Sequence, residues 1–96
     1  MNYAKIKKEY PKAYTLLDRL YKDRDLYDFF YKHGYWITID FSKVGGEYDK
    51  VNMWNCVIIN IEDDTCLHEG ENMITPIEAE EAGFEKCFEI LERKLQ

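Results

Sequence analysis

The segment of residues 74–95 carries a start signal and a single apolar face for a helix, and it constrains the fold more than any other feature. Thr75 and Glu78 have capping-box spacing, in which the Thr75 hydroxyl accepts a hydrogen bond from the Glu78 N–H, and Pro76 suits the first helical position. At about 100° per residue, one face of this helix carries Ile77, Phe84, Phe88, Leu91 and Leu95. Such a helix is marginal by itself, so we predict that it packs on an apolar surface of the same chain.

Three shorter helices are predicted before residue 35. The first covers residues 2–9, the second runs from Pro11 to residue 22, and the third covers residues 25–33, with Asp25 as its cap and Gly34 just past its end. Apolar residues at three- and four-residue spacing form their predicted buried sides. These residues are Tyr3, Ile6 and Tyr10, then Ala13, Leu16, Leu17 and Leu20, then Leu26, Phe29 and Phe30.

The hydrophobic period changes to two between residues 35 and 61, which predicts a β-hairpin with Gly45-Gly46 at its turn. Residues 65–68 have the composition of a short third strand. We therefore predict an α+β fold in a single domain of residues 1–96. Its small antiparallel sheet has two or three strands, with the hairpin at about residues 35–61. The N-terminal helices and the C-terminal helix pack on one face of that sheet.

The register of the hairpin follows from its apolar pattern. A loop of odd length, three or five residues, keeps one face of the hairpin apolar. It pairs Phe41 either with Val51 or with the residue two positions after Val51. In that register the opposite face of the sheet carries Trp36, Trp54, Cys56 and Ile58.

The cysteine count indicates the compartment. Cys56, Cys66 and Cys87 are an odd number without paired spacing, as is typical of reduced thiols in a cytoplasmic protein. The basic start of the chain lacks the apolar segment of a signal peptide, and the longest aliphatic run is far shorter than the ~20 residues that cross a bilayer. We predict a cytoplasmic protein with no membrane segment.

Charge is distributed unevenly along the chain. Residues 1–22 contain six basic and two acidic residues, whereas residues 62–96 contain eleven acidic and three basic ones. The net charge of −6 disfavours nucleic acid as a partner, and we expect the two ends of the chain to lie close together and partly cancel. An alternative is that the acidic helix face mimics a nucleic-acid backbone, as in a phage-type inhibitor. That face would consist of Glu81, Glu85, Glu89 and Glu92.

Candidate reactive residues are few. Cys56, Cys66 and His68 are the weak candidates for a metal site, but they lack the two tight ligand pairs of structural zinc. The chain has no nucleophile elbow, phosphate loop or dinucleotide motif. A Cys–His dyad formed in space stays open as an alternative. We predict no catalytic residue, no enzyme activity and no cofactor.

Aromatic residues give the strongest functional signal. Trp36, Trp54 and Ile58 on one sheet face form an apolar surface that either Tyr3 and Tyr10 of the first helix or a second molecule must cover. We therefore predict an accessory or interaction protein whose partner is another protein or a second copy of the chain. A competing interpretation is that Tyr3 and Tyr10 stack on bases beside the N-terminal lysines.

Three segments carry a resemblance to a known family. They are Glu9-Tyr10-Pro11-Lys12-Ala13-Tyr14 with Leu16-Leu17, Leu26-Tyr27-Asp28-Phe29-Phe30 with His33-Gly34, and Thr75-Pro76-Ile77-Glu78-Ala79-Glu80 with Ala82 and Phe84-Glu85-Lys86-Cys87-Phe88-Glu89-Ile90-Leu91-Glu92. In these segments the chain resembles small uncharacterised proteins of gut-bacterial prophages and mobile elements. The resemblance implies a mobile-element setting and a helix–hairpin–helix layout, and it supplies no established activity or site residue.

Overall fold

The computed structural model describes residues 1–20, 25–45 and 51–96. Within these ranges the elements follow the order α1 (Tyr3–Glu9), α2 (Pro11–Leu20), α3 (Leu26–Lys32), β1 (Tyr35–Val44), β2 (Val51–Asn60), β3 (Cys66–Glu69) and α4 (Pro76–Leu95). The predicted α+β fold is confirmed. The predicted end of the second helix at residues 21–22, and Gly46 and Lys50 of the predicted hairpin, lie outside the described residues.

The helices begin where the sequence places their caps. The side chains of Asn2, Asp25 and Thr75 accept hydrogen bonds from backbone N–H groups three residues ahead, at 3.1, 3.2 and 3.2 Å. Gly34 follows α3 with φ of +97°, the left-handed conformation that glycine adopts without strain. The capping signals therefore fix three helix starts and the abrupt change from α3 to β1.

The sheet has the strand order β1-β2-β3, and both pairs are antiparallel. β3 pairs with the second half of β2. Met73 continues this edge by exchanging two hydrogen bonds with Trp54, of 2.9 and 2.6 Å. β2 is thus paired along both of its edges.

The register of the hairpin differs from the prediction. Val44 lies opposite Val51, so the loop spans positions 45–50 and has an even length, and Phe41 faces Trp54 instead of Val51. The predicted loop of three or five residues is wrong. Both faces of β2 are apolar, so either face could pack against the helices. The longer loop also avoids the pairs of an apolar with a polar residue that a two-residue loop would create across the hairpin.

This register corrects the predicted placement of the tryptophans. Cross-strand partners share a face, so Trp54 lies with Phe41, whereas Trp36 lies with Ile59 on the other side of the sheet. The prediction that Trp36 and Trp54 share a face is wrong.

The core lies between the sheet and the helices. α4 crosses the face that carries Ile37, Cys56 and Ile58, all of them buried. The centre of the predicted stripe on α4 is confirmed, since Phe84, Phe88 and Leu91 are buried. The two ends of the stripe are not part of the core, because Ile77 and Leu95 at the helix termini are exposed. The remaining core residues are Ile6, Ala13, Leu17, Leu26, Phe29, Phe30, Tyr35 and Cys87.

The N-terminal helices lie along α4, which brings the basic start of the chain against its acidic end. The amino group of Met1 is 3.2 Å from Glu81, and Lys5 Nζ is 2.6 Å from Glu85. The predicted proximity and charge compensation of the two ends is confirmed. None of the helices in the described ranges is both long and apolar enough to cross a membrane.

Candidate interaction surface

Among the residues whose burial the structure describes, one face of the sheet carries no buried residue of the core. We call it the open face; it contains Trp36, Thr38, Val57 and Ile59, which alternate with the buried residues of the helix-covered face. Trp36 is opposite Ile59 and remains 49% exposed. A half-exposed indole near the start of the edge strand β1 is the first feature of a candidate binding surface.

Three neighbours enlarge the apolar area around this indole. The ring of Tyr31 meets that of Trp36 edge to face, with 5.9 Å between centroids. Ile61 extends β2 past Ile59 and is exposed. We call Tyr31, Trp36, Ile59 and Ile61 the open patch; with Asp64 they line a shallow hollow of about 350 Å³.

The turn after α3 positions the patch. The N–H of Gly34 donates to the Tyr31 carbonyl, and the Gly34 carbonyl accepts from the N–H of Ile61, both at 3.0 Å. These two bonds join the end of α3 to the end of β2. Tyr31 and Ile61, thirty positions apart in sequence, are therefore held on either side of Trp36.

Acidic residues border the open patch on two sides. Asp25 and Asp28 line a second hollow beside Tyr31 and Trp36. Asp64 borders the first hollow from the turn before β3, where it adopts a left-handed φ of 64°. In that turn Asp63 accepts from both the N–H and the hydroxyl of Thr65, and these bonds lower the pKa of its carboxyl. Asp28 is 3.5 Å from Lys32, which partly compensates its charge, so the patch has an apolar centre and a predominantly acidic border.

The other residues predicted for an interaction face lie elsewhere. Ile58 is fully buried under α4, and Trp54 packs against Phe41 on the helix-covered side, with ring centroids 5.4 Å apart. Tyr3 and Tyr10 pack partly buried against the core. Burial raises the pKa of the Tyr10 hydroxyl, with a further contribution from Glu85 and Glu89. Of the five predicted residues, only Trp36 lies in the open patch.

The metal candidates converge only in part, because Cys56 and His68 line one cleft but Cys66 does not line it. Cys56 is buried and Cys66 is exposed. The register shift in the β2–β3 pair sets Cys66 opposite Ile59 but His68 opposite Ile58. The part of the chain that the structure describes contains no group of three or more potential metal ligands.

A cleft of about 330 Å³ lies between α4 and the segment after β3. Its floor is formed by Cys56, Gly83 and Ala79, and His68, Glu85 and Lys86 stand among its polar residues. Burial raises the pKa of the Cys56 thiol to about 11, and that of the fully buried Cys87 rises for the same reason. Both thiols are therefore protonated at neutral pH and are poor nucleophiles.

The carboxylates considered for a nucleic-acid mimic have partners within the chain. Glu81 and Glu85 contact the N-terminal amino group and Lys5, and Glu89 contacts Lys86 and Arg93. Glu92 accepts hydrogen bonds from two backbone N–H groups of α2. To mimic a nucleic-acid backbone, these carboxylates would have to contact a foreign protein instead of their partners within this chain.

Sequence reasoning found Trp36 but missed Tyr31, Ile59 and Ile61 as its neighbours. The predicted register puts Ile59 and Ile61 on the face of β2 opposite to Trp36, and only the observed hairpin register corrects that. A signal existed for Tyr31, because it lies five positions before Trp36 across the Gly34 turn and off the buried side of α3.

Comparison of the chain with protein-family models, with curated proteins and with solved structures gives no match.

Proposed function

We propose that this chain is a non-enzymatic accessory protein that acts by binding another protein through the open patch. The observation that carries the proposal is the 49% exposed indole of Trp36 within the contiguous apolar surface formed with Tyr31, Ile59 and Ile61. Isolated apolar residues on a surface are ordinary, but contiguous apolar patches mark binding sites.

The residue types in the patch support protein binding. Trp and Tyr are enriched among the residues that contribute most to interface energy, because they combine a large apolar area with few rotatable bonds. Tyr31 already holds the Trp36 indole edge to face, so less side-chain entropy is lost when a partner covers it.

The anionic border defines the chemistry of the partner. The aspartates around the patch, Asp25, Asp28 and Asp64, outnumber their basic neighbour Lys32, which pairs with Asp28. This acidic excess favours a partner whose apolar contact area is bordered by lysines or arginines. The same border disfavours two copies meeting through this patch, because aspartates would then face aspartates. The proposed partner is therefore a different protein.

The rest of the proposal follows from the reactivity of the side chains and from the sequence. Cys56 and Cys87 are held as thiols at neutral pH, which argues against nucleophilic roles for them. A cytoplasmic location and a mobile-element setting, expected from cysteine usage and from the family resemblance, belong to the same proposal.

Affinity capture from bacterial lysate with matched variants tests the proposal. Trp36→Asp places a charge at the centre of the patch. Ile77→Asp is the control, because Ile77 is a 67% exposed apolar residue on the first turn of α4 and does not line the hollow. Circular dichroism establishes that both variants are folded.

We expect one protein to be retained by the wild type and by Ile77→Asp, and its affinity for Trp36→Asp to fall by roughly tenfold or more. Calorimetry with the purified partner gives the affinities. A wild-type chain that captures no protein, or a partner that binds Trp36→Asp as tightly as the wild type, would contradict the proposal.

A further inference from the structure

The outer edge of β1 is a second surface with unused bonding capacity. β1 is the terminal strand of the sheet, and among the described residues no strand pairs with its outer side. It is ten residues long and contains no proline. Natural edge strands are usually short, charged or interrupted, because a long regular edge is a template for another strand.

The hydrogen-bond pattern shows which backbone groups point outward. The backbone N–H and C=O groups of even-numbered β2 residues face β3. The Asn60 N–H donates to the Thr65 carbonyl at 2.8 Å, and the Cys56 carbonyl accepts from the Gly70 N–H at 2.7 Å. Odd-numbered β2 residues therefore bond to β1, where their partners are even-numbered. It follows that the N–H and C=O groups of Ile39 and Phe41 face away from the sheet.

Only the second half of this edge is accessible. α3 enters β1 through the Gly34 turn, and its Tyr31 reaches Trp36 on the open face, so the helix lies beside the first residues of the strand. Farther along, Asp40, Phe41 and Ser42 are all exposed. Phe41 is 54% exposed although it faces the helix-covered side and contacts Trp54.

We propose that two copies of this chain pair antiparallel through the second half of β1, with Phe41 opposite Phe41 of the second copy. The pairing sets the outward backbone groups of Phe41 opposite each other and those of Ile39 opposite those of Lys43. It joins two three-stranded sheets into one of six strands. It brings the two Phe41 rings together beside the two Trp54 indoles, which covers the exposed aromatic group. Aromatic pairs across strands add to the backbone bonds.

Three registers near Phe41 place the outward backbone groups of the two copies opposite each other. They differ in which side chains face each other and in how close the second copy comes to α3. Centring the pair on Asp40 sets two carboxylates face to face, which is unfavourable. Centring it on Ile39 sets Phe41 against the buried Ile37, where α3 lies close to the strand. Centring it on Phe41 places Asp40 opposite Ser42, a polar pair that can hydrogen bond, and keeps the second copy clear of α3.

This inference concerns a different surface from the open patch and does not depend on it. Pairing through β1 leaves Trp36 exposed on each copy and gives the assembly two open patches related by the twofold axis. An isologous dimer of this kind has no remaining open half-edge on β1, so association through β1 stops at two copies.

Site-directed crosslinking tests the register. Single cysteines are introduced at positions 39, 40, 41 and 36 in a Cys66→Ser background, which removes the exposed native thiol. Facing residues of a bonded antiparallel pair have Cα atoms about 5.5 Å apart, within disulfide range. We expect Phe41→Cys to form a disulfide-linked dimer under mild oxidation, and Ile39→Cys, Asp40→Cys and Trp36→Cys to form little or none.

Light scattering across a concentration series supplies the second readout. We expect wild type and Trp36→Asp to dimerise with the same Kd, and Phe41→Lys to weaken dimerisation by roughly tenfold or more. A wild-type chain that stays monomeric, or a crosslink stronger at position 39 or 40 than at 41, would overturn the proposal. Loss of the dimer in Trp36→Asp would also overturn it, whereas failure of foreign-protein capture alone would not affect it.

Discussion

At the scale of single residues, Glu92 shows how this chain completes a helix that its local sequence leaves uncapped. α2 begins with Pro11, and the preceding Tyr10 has no short polar side chain to accept from the first N–H groups. Glu92 of α4 takes that role, accepting from Ala13 N–H at 2.8 Å and Lys12 N–H at 3.3 Å. It is only 5% exposed, the one buried charged residue among those whose burial the structure describes. The helix N-terminus favours the negative charge that it receives.

Replacing Glu92 by alanine should leave two N–H groups unpaired in a partly buried site. We expect the free energy of unfolding to fall by about 2–3 kcal/mol, and by less in Glu92→Gln, which keeps an acceptor oxygen. Urea denaturation measures both. Glu81→Ala on the same helix is the control, and its exposed ion pair should contribute less than about 1 kcal/mol. Equal losses in Glu92→Ala and Glu81→Ala would refute the capping role.

His33, at the end of α3, gives a prediction for pH. Its ring packs 4.8 Å from that of Phe29, and desolvation, with a smaller contribution from Lys94, lowers its pKa below the ordinary value of 6.5. The unfolded chain therefore binds a proton more readily than the folded one. The stability present above pH 6.5 should be lost as pH falls through the folded pKa.

The matched variant for this effect is His33→Asn, which keeps a residue suited to a helix end. We expect wild type to lose more stability than His33→Asn on acidification from about pH 8 to about pH 5, since carboxylate effects are common to both. Urea midpoints at the two pH values measure the difference. Equal losses of stability in wild type and His33→Asn would show that folding leaves the pKa of His33 unchanged.

At the scale of elements, α4 approaches β2 closely at Gly83. A Cβ built on Gly83 would overlap the Sγ of Cys56 and lie 2.9 Å from its Cβ. The glycine is therefore required by the separation of the two backbones, although it lies inside a helix, where glycine is unfavourable by about 1 kcal/mol.

Gly83→Ala tests this contact. Overpacking costs about 1–3 kcal/mol, which outweighs the gain in helix propensity, so we expect net destabilisation. In a Cys56→Ala background the same substitution should cost less, because the Sγ overlap is gone, but it should still cost something, because the Cβ contact remains. A double-mutant cycle in urea measures this coupling. Additive effects would mean that the helix does not approach the strand at this point.

The elements also show what the sequence could and could not predict. Thr75, Asp25 and Gly34 act locally, so the start of α4 and the limits of α3 could be predicted from them. The face of β2 that α4 covers could not, because Cys56 and Ile58 on one side and Val57 and Ile59 on the other are equally apolar. That choice depends on loop length and on the Gly83 contact, which no local pattern encodes. The predicted interaction surface depends on the same choice of face, so it wrongly groups Trp54 and Ile58 with Trp36.

At the scale of the whole molecule, the N-terminal segment closes the core instead of extending from it as a basic tail. Ile6 of α1 is buried, and Met1 and Lys5 reach Glu81 and Glu85 on α4. The helices thus cover one side of the sheet as far as Ile39 and Cys56, leave Phe41 at the end of that side exposed, and leave the other side to the open patch.

Ile6→Ala should therefore lower the free energy of unfolding by about 2–5 kcal/mol, as for a core residue. Lys5→Ala, which removes only an exposed ion pair on the same helix, should have a much smaller effect. Thermal or urea unfolding of the two variants decides the point. An Ile6→Ala chain as stable as the wild type would mean that α1 is not part of the folded core.

The central claim is that the helices cover one face of the sheet and that the opposite face, around Trp36, is the surface offered to a partner. Hydroxyl-radical footprinting, read by mass spectrometry on the free chain and on its complex with the captured partner, tests this claim most directly. We predict strong labelling of Tyr31, Trp36 and Ile61 in the free chain, weak labelling of Ile58 and Phe88, and protection on binding confined to the first group. An unlabelled Trp36 in the free chain, or protection that falls outside the open patch, would contradict the account.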